Sequence, residues 1–144
     1  MNNFQFVSEG GGATGIVSYD LLAANFTNCI IEGNQNIEFS LERNDDGVFN
    51  YNFKNNLLRF EDPNGFYAND PLYDFDDTSV YQSNIFNGEP DFKEVNENEL
   101  IIGDLSDAIG KGNISEAQKV PFDILGVNRV QSPDAGAYQH IIFE

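Results

Sequence analysis

Apolar residues in this chain fall in short runs, each broken by Asn, Asp or Gly. No stretch holds a 3.6-residue period through three helical turns. The best helical candidate, Tyr19-Asp20-Leu21-Leu22-Ala23-Ala24, is stopped by Asn25. Thirteen Phe and six Tyr, with many Ile, Leu and Val, favour strands, and the abundant Asn favours turns. The pattern predicts an all-β chain of short strands and many turns.

An internal echo sharpens this expectation. Asn25-Phe26-Thr27-Asn28-Cys29-Ile30-Ile31 is matched 27 residues on by Asn52-Phe53-Lys54-Asn55-Asn56-Leu57-Leu58. Asn2-Asn3-Phe4-Gln5-Phe6 is a weaker earlier copy, and Tyr81-Gln82-Ser83-Asn84-Ile85-Phe86 a later one with one residue inserted. Periods of 20 to 50 residues point to solenoids, in which each repeat buries a face against the next. Sharp corners between strands of a parallel β-helix need residues that tolerate the left-handed region, and Asn is the commonest choice after Gly. Asn28 and Asn55 are therefore expected in equivalent turns, their amides bonded to each other in a ladder, with the flanking aliphatics pointing inward. The competing reading is an antiparallel sandwich whose strands match by chance.

Residues 89–139 carry a second pattern. In order stand Glu89-Pro90-Asp91-Phe92, Leu105-Ser106-Asp107-Ala108-Ile109-Gly110-Lys111-Gly112-Asn113, Phe122-Asp123-Ile124-Leu125-Gly126-Val127-Asn128-Arg129 and Ser132-Pro133-Asp134-Ala135-Gly136-Ala137-Tyr138-Gln139. This series, about a third of the chain, resembles the C-terminal end of bacterial right-handed parallel β-helix repeat proteins. Those relatives are secreted or surface-anchored, often from Bacteroidetes-like bacteria, and some carry a choice-of-anchor label. Asp107 stands where that family usually has Pro, Gly110 where it has Asp, and Gln139 where it has Glu. The turn formers Asp123, Gly126, Asp134 and Gly136 are kept. Tyr138, with Phe122, is expected to pack into an end structure that plugs the open solenoid. Arg129 is expected to pair with Asp123 or Asp134. All of these are assigned structural roles.

At 144 residues the chain is about one domain. Seven basic residues against 24 acidic ones give a net charge of −17. That sign excludes nucleic acid, which needs a basic stripe to displace phosphate counterions. It also disfavours an anionic membrane surface, or a bare anionic polysaccharide unless a cation bridges the two. A lone Cys29 and a lone His140 make neither a disulfide nor a Cys/His zinc site. Met1–Val7 lacks the marks of a signal peptide, and no run approaches the roughly 18 apolar residues of a spanning helix. Such a chain is either cytoplasmic or one end of a longer secreted protein, and the resemblance implies an extracellular or cell-surface location.

Candidate chemistry is sparse. No nucleophile elbow is present, His140 reads as a solvated group, and Cys29 reads as a small buried hydrophobe. Asp45 and Asp46, and Asp74, Asp76 and Asp77, group hard oxygen ligands and are the candidates for Ca²⁺, although neither run matches a known calcium loop. No other cofactor is indicated, and no catalytic residue can be named. Seven scattered cations offer little to a lyase, and no carboxylate pair can be located for a glycosidase.

Together these features predict a single domain over 1–144, with coils over 1–60 and loop-rich C-terminal coils and an end structure over 61–144. The expected role is a non-catalytic structural or binding portion of a secreted or surface β-helix protein, contacting polysaccharide or a cell-surface component. The alternative is part of a polysaccharide lyase or glycoside hydrolase whose catalytic coils lie upstream. The first coil, with only Met1 before it and flexible Gly10-Gly11-Gly12 beyond, is expected to continue upstream or to self-associate.

Overall fold

The computed structural model describes residues 1–9 and 13–143, so the glycines at 10–12 lie outside the described residues. The chain is mostly β, with two three-stranded parallel sheets stacked in a manner consistent with a short β-solenoid. One sheet holds β3 (Leu21–Thr27), β5 (Phe49–Lys54) and β7 (Tyr81–Gln82). The other holds β4 (Ile30–Ile31), β6 (Leu57–Leu58) and β8 (Ile85–Phe86). Among the described residues the one α-helix is α1 (Ile114–Ala117).

The sequence echo is the register of these sheets. Phe26 pairs with Phe53 and Phe53 with Tyr81, while Ile30 pairs with Leu57 and Leu57 with Ile85. The third rung therefore lies beyond residue 60. At the corner between the two sheets, Asn28 (φ 56°), Asn55 (φ 55°) and Ser83 (φ 54°) all take the left-handed conformation. Their backbones run on from rung to rung, with Asn28 N–H donating to Lys54 O and Asn55 N–H to Gln82 O.

The amide ladder belongs to the next position. Buried Asn56 accepts from Cys29 N–H at 2.8 Å and donates through Nδ2 to Phe26 O and to Asn84 Oδ1. Asn84 donates in turn to Phe53 O. The amides of Asn28 and Asn55 do not meet each other but turn outward, because Asn56 and Asn84 already hold the corner from within.

The doubled aliphatics split between two faces, since neighbours along a strand point to opposite sides. Ile31, Leu58 and Phe86 join the interior cluster of Phe53, Phe60, Leu72, Tyr73 and Tyr81. Ile30 and Leu57 face the other way and pack on Ile102, Ala108 and Ala135. A sheet buried on both faces reads as continuous apolar residues, which is what Leu57-Leu58 shows.

The weak first copy is not a coil. Phe4–Glu9 forms β1, an antiparallel hairpin with β2 (Ala13–Ser18). Asn3, 3% exposed, clamps the loop at 44–48 instead of turning a corner: its Oδ1 accepts from Asn44 N–H, and its Nδ2 donates to Asn44 O. A second antiparallel pair joins β9 (Phe92–Glu94) to β10 (Glu99–Ile102). Among the described residues no helix is long and apolar enough to cross a membrane.

Candidate functional site

The segment after β10 runs along the flank of the stacked rungs as a strap rather than over an open end. Asn113 is its main tie. Its N–H donates to Asn28 Oδ1 at 2.6 Å, its carbonyl accepts from Asn28 Nδ2, and its own Nδ2 reaches Asn55 Oδ1. Asn55 Nδ2 donates to Lys111 O at 2.9 Å. Gly136, at φ 103°, brings its N–H to Asn28 O, and a Cβ there would meet Ile30 Cδ1 at 2.9 Å.

Polar knots hold the strap together. Asp123 accepts from Leu125 and Val127 N–H through Oδ1 and from Gln139 N–H through Oδ2. Burial pushes this carboxyl up, but the three donors and nearby Arg129 overcome it and hold it below the ordinary carboxylate value. Gly126 closes the same turn at φ 82°, its N–H donating to Asp123 O. Asp134, fully buried, accepts from Gly110 N–H, His140 N–H and His140 Nδ1, the last at 2.8 Å. Gln139 receives Asp134 N–H and donates to Ser132 O.

Several expectations are corrected here. Arg129 forms no ion pair with Asp123 or Asp134; its Nη2 donates to the carbonyls of Asp134 and Gly136. The partner of Asp134 is His140, which is therefore not merely a solvated group. Tyr138 is half-buried, and Phe122 is 53% exposed, because apolar strap positions such as Ala108 and Ala135 fill the flank instead.

The acidic runs close turns on themselves. Asp45 pairs with Arg43 at 2.8 Å, and Asp46 N–H donates to Asn44 Oδ1. Asp74 accepts from Asp76 N–H, and Asp77 accepts from Ser79 N–H and Oγ–H, which lowers its pKa. Among the described residues no group of three or more His, Cys, Asp or Glu is arranged to hold a metal ion. Cys29 is half-buried, and burial pushes its thiol up, away from the reactive thiolate.

The strap leaves part of the flank uncovered, and there lies a cleft of about 950 Å³. Its floor is one residue further along the repeat: Glu32, Arg59 and Asn87 follow Ile31, Leu58 and Phe86. Arg59 N–H donates to Ile31 O and Asn87 N–H to Leu58 O, so the three occupy equivalent places in successive rungs. Walls come from Gly88–Phe92, from Val95, Asn98 and Leu100 around the β9–β10 turn, and from Asp107. Asn87, at φ 57°, fixes its own corner by exchanging two side-chain bonds with the Phe60 backbone.

Glu32 and Arg59 face each other loosely, Oε1 to Nε at 4.0 Å, with side chains 12% and 30% exposed. Glu32 Oε2 and Arg59 Nε are buried and lack hydrogen-bond partners. Burial pushes the Glu32 carboxyl up; Gly33 N–H and Arg59 oppose this, while Glu38 and Glu89 add to it. The other cleft acids are spent on the wall. Asp107 Oδ2 accepts from Glu89 N–H at 2.7 Å, Asp91 Oδ2 from Leu105 N–H, and Glu89 Oε1 from Asp91 N–H. An acceptor and a donor thus lie unpartnered and out of reach of solvent beneath a partly apolar cleft.

No family model matches the chain, and neither a curated protein nor a solved structure matches it. The cleft itself was missed from sequence, although one signal was present. Extending the echo by a single residue places Glu32 against Arg59 at the same 27-residue offset.

Proposed function

We propose that this chain is a non-catalytic, carbohydrate-contacting part of a secreted or cell-surface protein built as a right-handed parallel β-helix. The observation that carries the reading is the cleft, whose floor sets the polar residues Glu32, Arg59 and Asn87 at equivalent places of successive rungs. Binding sites hold a few polar groups among apolar walls, and Phe92, Val95 and Leu100 supply the walls here. The resemblance of residues 89–139 to β-helix repeat proteins supports the same reading. β3 is an edge strand with Leu22 70% exposed, which supports pairing of two copies through their first rungs.

Retention on a panel of immobilised polysaccharides is the test. The chain is expected to be held by at least one of them and to release no reducing sugar. Absence of retention on every polysaccharide overturns the reading.

A hydrolase or lyase reading has one observation in its favour, the raised Glu32 carboxyl, which suits a proton donor. Against it, Glu89, Asp91 and Asp107 are each engaged by a backbone N–H, so the second carboxylate such chemistry needs is committed elsewhere. Reducing-sugar release, or an unsaturated product, would favour the enzyme.

A further inference from the structure

We infer that two copies of this chain join across a two-fold axis through a neutral face made by the hairpin β1–β2 and the outer edge of β3. The inference rests on the pairing of first rungs, not on carbohydrate contact, and adds the hairpin, the symmetry and the strand direction. Phe4, Phe6 and Ile16 lie on the same side of the hairpin, with Phe6 directly opposite Ile16. The rings of Phe4 and Phe6 meet edge to face at 5.6 Å. Asn3 O accepts from Tyr19 N–H and ties the hairpin to the chain entering β3. A concavity of about 520 Å³ between them is lined by Phe4, Phe6, Tyr19 and Leu21. Phe6, Ile16, Tyr19 and Leu22 are all more than half exposed. Beside them, β3 is bonded by β5 on one side, and among the described residues no strand bonds the other. Asn28 N–H points to Lys54 O on the β5 side, so by alternation the N–H groups of Asn25 and Thr27 lie on the open edge. Open edges are templates for a further strand unless charge blunts them, and Leu21 to Ile31 holds no charged residue.

The distribution of charge decides the occupant. Residues 1–31 hold two of the 24 acids, Glu9 and Asp20, and none of the seven bases. Asp20 Oδ1 is already taken by Val48 N–H. A basic partner is drawn to the acidic remainder of the chain and has nothing to pair with here. A second copy is repelled by that remainder and can approach closely only where neither copy carries much charge. It brings the same neutral, apolar face, which is the self-complementarity that a two-fold axis requires. The size fits as well, since a stable interface takes about 20–30 residues from each partner, and residues 1–31 form a stretch of that order. Across the axis the two β3 strands run antiparallel and bond through the open Asn25 and Thr27 groups, with the hairpins at their sides. Such pairing consumes both open edges and closes at two copies.

Sedimentation velocity of the full chain under reducing conditions, across protein concentration and salt, tests this. The reductant removes any disulfide through Cys29 as a cause of association. A monomer–dimer equilibrium is expected, with no larger species, and it is expected to strengthen as salt screens the repulsion between the acidic remainders. Leu22→Glu on the edge, and Phe6→Glu and Ile16→Glu on the hairpin, are each expected to weaken the dimer about tenfold or more. Phe66→Glu, at an equally exposed apolar residue outside this face, is expected to leave it unchanged. All four side chains are exposed in the single chain, and circular dichroism establishes that each variant is folded. Hydrogen exchange at Asn25 and Thr27 N–H is expected to slow as concentration rises. A monomer at every salt and up to millimolar concentration overturns the inference and the pairing of first rungs together. A dimer weakened by Leu22→Glu but indifferent to both hairpin variants overturns the inference and leaves first-rung pairing standing. A dimer that dissociates as salt rises, or that only Phe66→Glu disturbs, overturns both. Retention on polysaccharides is read separately and is touched by none of these outcomes.

Discussion

Phe53 stacks on Phe26 with ring centroids 4.7 Å apart and planes 9° from parallel, and on its other face it meets Tyr81 at 5.6 Å and 12°. One ring per rung, each in the same register, makes an aromatic column through the interior. Phe53 is its middle member, 1% exposed and in contact with neighbours from both adjoining rungs. Phe53→Ala is expected to cost about 3–5 kcal/mol, as for other buried aromatic truncations. Urea denaturation followed by circular dichroism measures this, and an unchanged midpoint would mean that the column does not hold the rungs together.

Asn56 is a second fixed point. Its side chain serves Cys29 N–H, Phe26 O and Asn84 Oδ1 while 1% exposed. Asn56→Ala strands the first two, and each buried unsatisfied group costs about 1–3 kcal/mol. A loss of at least about 2 kcal/mol is expected. Asn55→Gly keeps the left-handed corner and removes only the ties to Lys111 O and Asn113 Nδ2, so it is expected to cost less than Asn56→Ala.

Two carboxyls give opposite pH dependences. Asp123 is held below its ordinary value near 3.9, so its stabilising contribution is present above that value and is lost as pH falls through the folded one. Hydrogen exchange at Val127 and Gln139 N–H is expected to rise in that acidic window, ahead of exchange in β5 and β6. Early loss of β5 and β6 protection would contradict the strap as a separate unit.

Glu32 runs the other way. Its carboxyl is raised, so its favourable contribution is present below the ordinary value near 4.3 and is lost as pH rises through the folded one. Glu32→Gln cannot ionise. It is expected to be more stable than the parent at pH 7, with the difference shrinking below pH 4. Thermal melts across pH measure it. A variant less stable at pH 7 would mean that the open carboxylate is structural.

The rungs were legible because local rules fixed them. Asn28 and Asn55 mark corners that few other residues tolerate, and Phe26 and Phe53 mark the interior between them. The faces of Ile30-Ile31 and Leu57-Leu58 were misread, since strand alternation sends one of each pair outward to the strap. Phe4 and Phe6 looked like a coil because aromatic spacing alone does not separate a parallel rung from a hairpin. The cleft was hidden for a different reason. Its floor and walls come from positions 32, 59, 87–92, 95, 98, 100 and 107, brought together only when the chain folds back along the rungs after β8. The orphaned atoms of its floor are defined by what does not pair with them, which spacing cannot reveal.

The most direct test is chemical-shift mapping of the ¹⁵N-labelled chain titrated with soluble oligosaccharides cut from the same panel of polysaccharides. The account predicts saturable shifts clustered at Glu32, Gly33, Arg59, Asn87 and Gly88, with residues of the hairpin β1–β2 and of α1 unmoved. Shifts that cluster elsewhere, or none with any sugar, would contradict the cleft as the site where this chain meets its ligand.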